Sequence, residues 1–149
     1  MKRAFAFGDK SIESAVRRVN EVRCVAVIGA GTMGQGIAID LLKKTDYELI
    51  LLDVQQEPLG RAKARFDAMR AADVKESRLR EEDAQRAAAR VTFTQSYDDL
   101  ARADIVWEVA TERGEIKAKI FEAFEKHVDP DRIAAIFSNT SSHTTGELA

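Results

Sequence analysis

Apolar residues along this chain follow two alternating rhythms, short unbroken runs and helical stripes. The runs CVAVI (24–28), ELILLD (48–53), ADIVWEVA (103–110) and IAAIFS (133–138) have the length and continuity of strands buried on both faces of a parallel sheet, and VTFT (91–94) reads as a shorter strand. Between them, Met33, Ile37 and Leu41 recur at helical spacing, as do Leu59, Ala62, Phe66 and Met69, then an alanine-rich stretch to about Arg90, then Ile116, Ile120, Phe124 and Val128. Lys43 and Lys44 suit the last turn of the first of these helices, where the dipole is negative. Pro58 suits the first turn of the second, where its missing N–H has no partner to lose. KESRLREED (75–83) is a polar break, and Asp129 and Pro130 close the last helix, whose exposed side pairs Glu115 with Lys119 and Glu122 with Lys126. Ahead of the first run, Ile12, Ala15, Val16 and Val19 share one face of a short helix over 11–22, with Ser11 as its candidate cap. Strands alternating with helices predict an α/β fold, a doubly wound parallel sheet with right-handed crossovers.

Composition narrows the class without naming it. At 149 residues and 45% hydrophobic, the chain has the size and apolar content of one globular domain. Its net charge of -2 comes from interspersed acids and bases, so no nucleic-acid partner is expected. No apolar run approaches the roughly 20 residues of a membrane span, and the start MKRAFAFGDK lacks a secretory core, so no membrane partner is expected. The single Cys24 forms no internal disulfide, which fits a reducing, cytoplasmic setting. No metal site is expected.

The chemistry begins at VIGAGTMGQGIA (27–38), which places four glycines where a strand hands over to a helix. Gly29, Gly31 and Gly34 fit G-x-G-x-x-G: the first permits a tight turn, the second leaves room for a pyrophosphate, and the third lets helix and strand pack closely. A helix beginning near Thr32 aims the free N–H groups of Thr32, Met33 and Gly34 at those phosphates. Glycine turns also serve plain strand-to-helix packing, and that alternative stays open at this point. Asp53 follows Gly34 by 19 residues at the end of the second run, where a carboxylate accepts hydrogen bonds from adenosine ribose hydroxyls and repels a 2′-phosphate. No Arg lies between Asp53 and Arg61, which favours NAD over NADP. The alternative for Asp53 is an ordinary cap of the next helix.

Three segments in order, GAGTMGQGIA with Asp53, ADIVWEVATERGEIKAKIFEAFEK, and IFSNTSS, resemble the N-terminal domain of the L-3-hydroxyacyl-CoA dehydrogenases over about residues 22–145. That family includes 3-hydroxybutyryl-CoA dehydrogenases and the related gulonate dehydrogenase and lambda-crystallin. The resemblance implies a Rossmann-type domain followed by a helical domain, NAD as cofactor, and oxidation of a 3-hydroxyacyl-CoA to the 3-ketoacyl-CoA. Carried over position by position, it implies that Glu112 and Lys117 lie near the cofactor, in the E-x-x-x-E-x-x-x-x-K segment that begins at Glu108. It further implies that Asn139 lies at the cofactor and that Ser141 hydrogen-bonds the reacting oxygen of the substrate beside the nicotinamide. From the residues alone, Glu112 and Lys117 read as solvated charges at a helix start, and NTSS as a turn or cap.

Removing a hydride from an alcohol carbon leaves a proton for a base, usually a His oriented by a carboxylate. In the family that His follows the NTSS segment. Here His127 reads as a charge suited to a helix C-terminus, and His143 comes too early to match. The expectation is therefore a Rossmann domain over 22–149, preceded by an extension over 1–21 and without the family's C-terminal helical domain. Such a chain binds NAD, lacks the general base and does not turn over. The resemblance implies an acyl-CoA substrate and a homodimer for the full-length enzyme. Two alternatives are a non-catalytic NAD(H)-sensing module and a related hydroxy-acid enzyme such as gulonate 3-dehydrogenase.

Overall fold

The computed structural model of the chain describes residues 19–110, 114–128 and 132–139. The extension 1–21, with its helix over 11–22, lies almost wholly outside the described residues, as do Glu112, Ser141 and His143. Five strands, β1 (Cys24–Ile28), β2 (Glu48–Leu52), β3 (Val91–Thr94), β4 (Ile105–Glu108) and β5 (Ala135–Ser138), form one sheet in the order β3-β2-β1-β4-β5. Every neighbouring pair is parallel. Helices α1 (Thr32–Lys44), α2 (Gln56–Lys75), α3 (Glu81–Ala89) and α4 (Gly114–His127) connect them, with a 3-10 turn over Tyr97–Arg102 that the apolar pattern does not announce. The expected doubly wound parallel sheet is thus observed, and its direction of growth reverses at β1, the place where such sheets open a ligand crevice.

Because side chains alternate along a strand, each run feeds two cores. Val25, Val27, Leu49 and Leu51 pack with Ala38, Leu42, Leu59 and Phe66 beneath α1 and α2. Ala26, Ile28, Ile50 and Leu52 pack on the other face with Leu100 of the 3-10 turn and with Ile120, Phe124 and Val128 at α4. Cys24 belongs to this second core, and burial pushes its thiol up to about 11, which keeps it protonated at neutral pH as a packing residue.

The expected inner stripe of α1 is off by one position. Gly34, Ala38 and Leu42 are buried with Gln35, whereas Met33 is 52% exposed and Ile37 and Leu41 are half-buried. The reason is steric: the helix approaches β1 so closely that small residues must face the sheet, and the bulkier stripe is displaced to the flank.

Polar ties hold the amino edge of the sheet. The Asp104 carboxylate accepts hydrogen bonds from the N–H groups of Arg23 and Cys24, both at 2.8 Å, and from Arg132 Nε at 2.8 Å. Arg90 donates to the carbonyls of Leu42, Thr45 and Tyr47, satisfying the C-terminal turn of α1. Arg80 precedes α3 without a side-chain cap to the backbone, and its Nε donates instead to Asp83 Oδ2 at 2.7 Å. Among the described residues no helix is long and apolar enough to cross a membrane, and no cluster of metal-ligating side chains occurs.

Candidate functional site

The three glycines do three different jobs. Gly29, just past β1, has φ +109°, a conformation L side chains rarely adopt, and a Cβ there would stand 2.6 Å from Ala110 Cα on the chain leaving β4. A Cβ on Gly34 would fall 1.8 Å from the carbonyl oxygen of Gly29. A Cβ on Gly31 would meet nothing within 4 Å, and Gly31 lines an open cleft. Plain packing therefore accounts for Gly29 and Gly34 but not for Gly31, whose missing side chain leaves space that the protein itself does not fill.

That space lies in front of the N-terminus of α1. Gly31 takes the capping position without a side-chain hydrogen bond, and no acidic residue occupies the first turn. Gln35 N–H, donating to Gly31 O at 3.0 Å, is the first to close a helical bond, so the N–H groups of Thr32, Met33 and Gly34 have no partner within the helix. An anion completes such an end.

Asp53 stands one strand over. Its Oδ2 accepts from Ala30 N–H at 2.8 Å and its Oδ1 from Gln55 N–H at 2.9 Å. The carboxylate thus ties the glycine turn to the exit of β2. The residue before α2 is Gln55, so Asp53 shapes the approach to that helix rather than capping it, and it also lines the cleft. The cleft measures ≈ 690 Å³. Beyond Gly31 and Asp53 its walls come from Val54 and Pro58 on one side and from Ile116, Ile120 and Ala123 of α4 on the other, with Tyr97 between. Ile116, read from the sequence as a core position, is 41% exposed and belongs to this wall. Lys119 lines the cleft as well. Of the two ion pairs expected on α4, Glu122 with Lys126 forms at 2.9 Å, and none joins Glu115 to Lys119 among the described residues.

A buried polar cluster closes the far end. Lys117 and Glu108, with side chains 0% and 1% exposed, pair at 2.9 Å. Glu108 also accepts from Ser138 Oγ at 2.7 Å and from Ala110 N–H at 2.9 Å. Lys117 Nζ reaches Ser138 Oγ at 3.4 Å and the carbonyl of Asn139 at 3.3 Å. The reading of Lys117 as a solvated charge is overturned: its ammonium is enclosed, and among the described residues a buried carboxylate and two further acceptors replace the water it leaves. Asn139 is held from both sides, since its N–H donates to the Glu108 carbonyl at 2.9 Å. Its side chain crosses to α1, with Nδ2 3.1 Å from Met33 Sδ. The carboxyl edges of β1, β2, β4 and β5 therefore bring together Gly29, Gly31, Thr32, Met33, Gly34, Asp53 and Asn139.

His127 is not among them. Its Nδ1 lies 2.9 Å from Asp98 Oδ1 on the 3-10 turn, with its ring beside Tyr97. A second hollow, ≈ 570 Å³ between the C-terminal end of α1 and the α2–α3 pair, is rich in Arg and Lys. Its cations are already engaged, Lys43 and Arg78 by Asp73, Arg86 by Asp83, Arg70 by Asp67 and Arg90 by backbone carbonyls, which leaves little charge for a ligand. Sequence reasoning missed Glu108 and Ser138 as members of the site and Tyr97 as a cleft residue. The signal for the first was legible: a lone acid at the end of an otherwise apolar buried strand needs a partner.

The model of the family "3-hydroxyacyl-CoA dehydrogenase, NAD binding domain" matches residues 24–149. The chain is 35% identical over 128 residues to a 3-hydroxybutyryl-CoA dehydrogenase of Bradyrhizobium diazoefficiens, covering 86% of this chain and 43% of that protein. It is also 35% identical to the 3-hydroxyadipyl-CoA dehydrogenase of Escherichia coli, covering 86% of this chain and 26% of that protein. Among solved structures, 3-hydroxybutyryl-CoA dehydrogenase from Escherichia coli superposes with a TM-score of 0.74 at 33% identity, over 86% of this chain and 26% of that one. The (S)-3-hydroxybutyryl-CoA dehydrogenase from Ralstonia eutropha gives 0.70 at 34% identity, over 86% and 44%. The chain spans less than half the length of these relatives.

Proposed function

We infer the function from one premise: the chain belongs to the 3-hydroxyacyl-CoA dehydrogenase family, as its NAD-binding domain. The cofactor is NAD, and the observation that carries its placement is the empty space at Gly31, facing an uncapped helix N-terminus with a carboxylate one strand away. Gly29, Gly31 and Gly34 shape the turn, the N–H groups of Thr32, Met33 and Gly34 take the pyrophosphate, and Asp53 takes the ribose hydroxyls. When bound, NAD supplies the hydride acceptor. Asn139 borders the nicotinamide end, and Ser141, by the family pattern, holds the substrate oxygen beside it. Glu112 keeps its family assignment near the cofactor. Lys117 acts at second remove, through Glu108 and the backbone of Asn139, because its own N–H groups are already engaged.

The domain proposed here covers 22–149, with 1–21 as an extension. The longer protein oxidises a 3-hydroxyacyl-CoA to the 3-ketoacyl-CoA as a homodimer, and this stretch of it binds NAD without turning over. What supports the last point is His127, the one histidine among the described residues, which is engaged with Asp98 away from the site. Calorimetric titration is expected to show NADH binding in preference to NADPH. Asp53→Ala should weaken NADH by about 1.5–3 kcal/mol through loss of charge-assisted hydrogen bonds and should narrow the preference over NADPH. Equal affinity of the unmodified chain for both cofactors rejects the role of Asp53. Acetoacetyl-CoA with NADH should show no oxidation of NADH above background, and ordinary dehydrogenase rates refute the absence of turnover.

A further inference from the structure

The cleft contains a polar group, carried on an anchored ring, that neither the glycine turn nor the acid at β2 explains. Tyr97 lines it from the 3-10 turn, and its hydroxyl has no hydrogen-bond partner among the described residues. Its ring is fixed from behind, packed on the edge of the core that holds Leu100, Ile120 and Phe124 and set 6.3 Å from the ring of His127. The anchored ring holds the hydroxyl as a donor that the described residues leave to water, ready to be taken over by a ligand acceptor.

We propose that Tyr97 is a further recognition residue of this cleft, its hydroxyl donating a hydrogen bond to the adenosine half of the bound dinucleotide; the proposal rests on the NAD reading given above. The partition of the cleft supports it. The end at Gly31 suits the phosphates, and Asp53 is committed to ribose hydroxyls, which are donors. The apolar walls at Val54, Pro58, Ile116 and Ile120 fit the flat face of a purine. An adenosine also presents acceptors, its ring nitrogens and ribose oxygens, which an acceptor-only carboxylate cannot satisfy. Gln55 gives its backbone N–H to Asp53 and carries its amide on an exposed, flexible side chain, and Lys119 carries its donor on a long flexible stem. Tyr97 is the preset neutral donor. Burial first, then the carboxylates of Asp53 and Glu108, hold its phenol above the ordinary tyrosine range, so the proton to be donated stays in place throughout the neutral pH range.

The test is Tyr97→Phe in the 149-residue chain, titrated with NADH and with ADP-ribose, beside the unmodified chain and Asp53→Ala. Losing one neutral hydrogen bond should weaken both ligands by the same factor, about twofold to tenfold, and leave the ligand-free unfolding midpoint where it was. Unchanged affinities in Tyr97→Phe, with NADH bound normally by the unmodified chain and weakly by Asp53→Ala, overturn the role of Tyr97 and leave the NAD reading standing. A loss confined to NADH and absent for ADP-ribose also overturns it, because the contact would then lie outside the adenosine half. Failure of the unmodified chain to bind either ligand removes the NAD reading and this proposal with it.

Discussion

Lys117→Met should lower the stability of the chain by roughly 3–5 kcal/mol, read as a fall in the urea midpoint with an unchanged slope. Domains of this size have about 5–15 kcal/mol in total, so the loss is a large fraction of what keeps the chain folded. The size follows from what remains behind. Methionine fills most of the volume of the lysine stem, so the variant tests charge more than packing. Glu108 would keep its bonds from Ser138 and Ala110 but lose the one opposite charge beside it among the described residues, at a site with 1% of its side chain exposed. An uncompensated buried charge is the expensive outcome, whereas a neutral pair of similar shape is not. Adding Glu108→Gln to Lys117→Met should therefore recover much of the loss, a coupling that a double-mutant cycle measures. If the two changes simply add, the pair is not a unit. If Lys117→Met costs less than about 1 kcal/mol, the enclosed ion pair described here does not exist in solution.

Gly34→Ala and Gly31→Ala should fail in opposite ways, although both replace a hydrogen by a methyl in one motif. At Gly34 the new carbon would overlap a backbone oxygen at 1.8 Å, and neither α1 nor the turn after β1 can yield without lifting the helix off the sheet. We expect more than about 3 kcal/mol of destabilisation, or no folded protein on expression. At Gly31 the methyl enters open space, so the chain folds with an unchanged melting curve. On the proposed placement of NAD the methyl stands where the pyrophosphate approaches the backbone, and NADH affinity should fall by about 100-fold, roughly 2.7 kcal/mol. Circular dichroism melts and calorimetry on both variants separate the cases. A folded Gly34→Ala, or a Gly31→Ala that binds NADH normally, would assign the roles of these glycines wrongly.

The doubly wound sheet was legible in the order of unbroken apolar runs and helical stripes, because a strand buried on both faces tolerates no polar alternation and a helix packed on a sheet cannot avoid a stripe. Gly29, Gly31, Gly34 and Asp53 were legible because their spacing is a property of one local unit, a strand, a turn, a helix and the next strand. The buried face of α1 was not. Met33, Ile37 and Leu41 outrank Gly34 and Ala38 in hydrophobicity, and only the distance between helix and strand reveals that small size decides the contact. The 3-10 turn at Tyr97 carries no periodic signal either, since six residues are too few to show one.

By itself, the sequence determined the class of fold, the place of the glycine turn and the position of the acid one strand over, all consequences of short-range spacing and of burial along single elements. The tertiary structure decided which charges are enclosed and which face water. Lys117 reads as a surface residue until β4 and β5 bring Glu108, Ser138 and the Asn139 carbonyl around it, and Tyr97 carries no signal of its own until α4 and the exit of β2 make a cleft beside it. The physical reason is that desolvation depends on neighbours gathered from distant parts of the chain, and no local pattern records who those neighbours are.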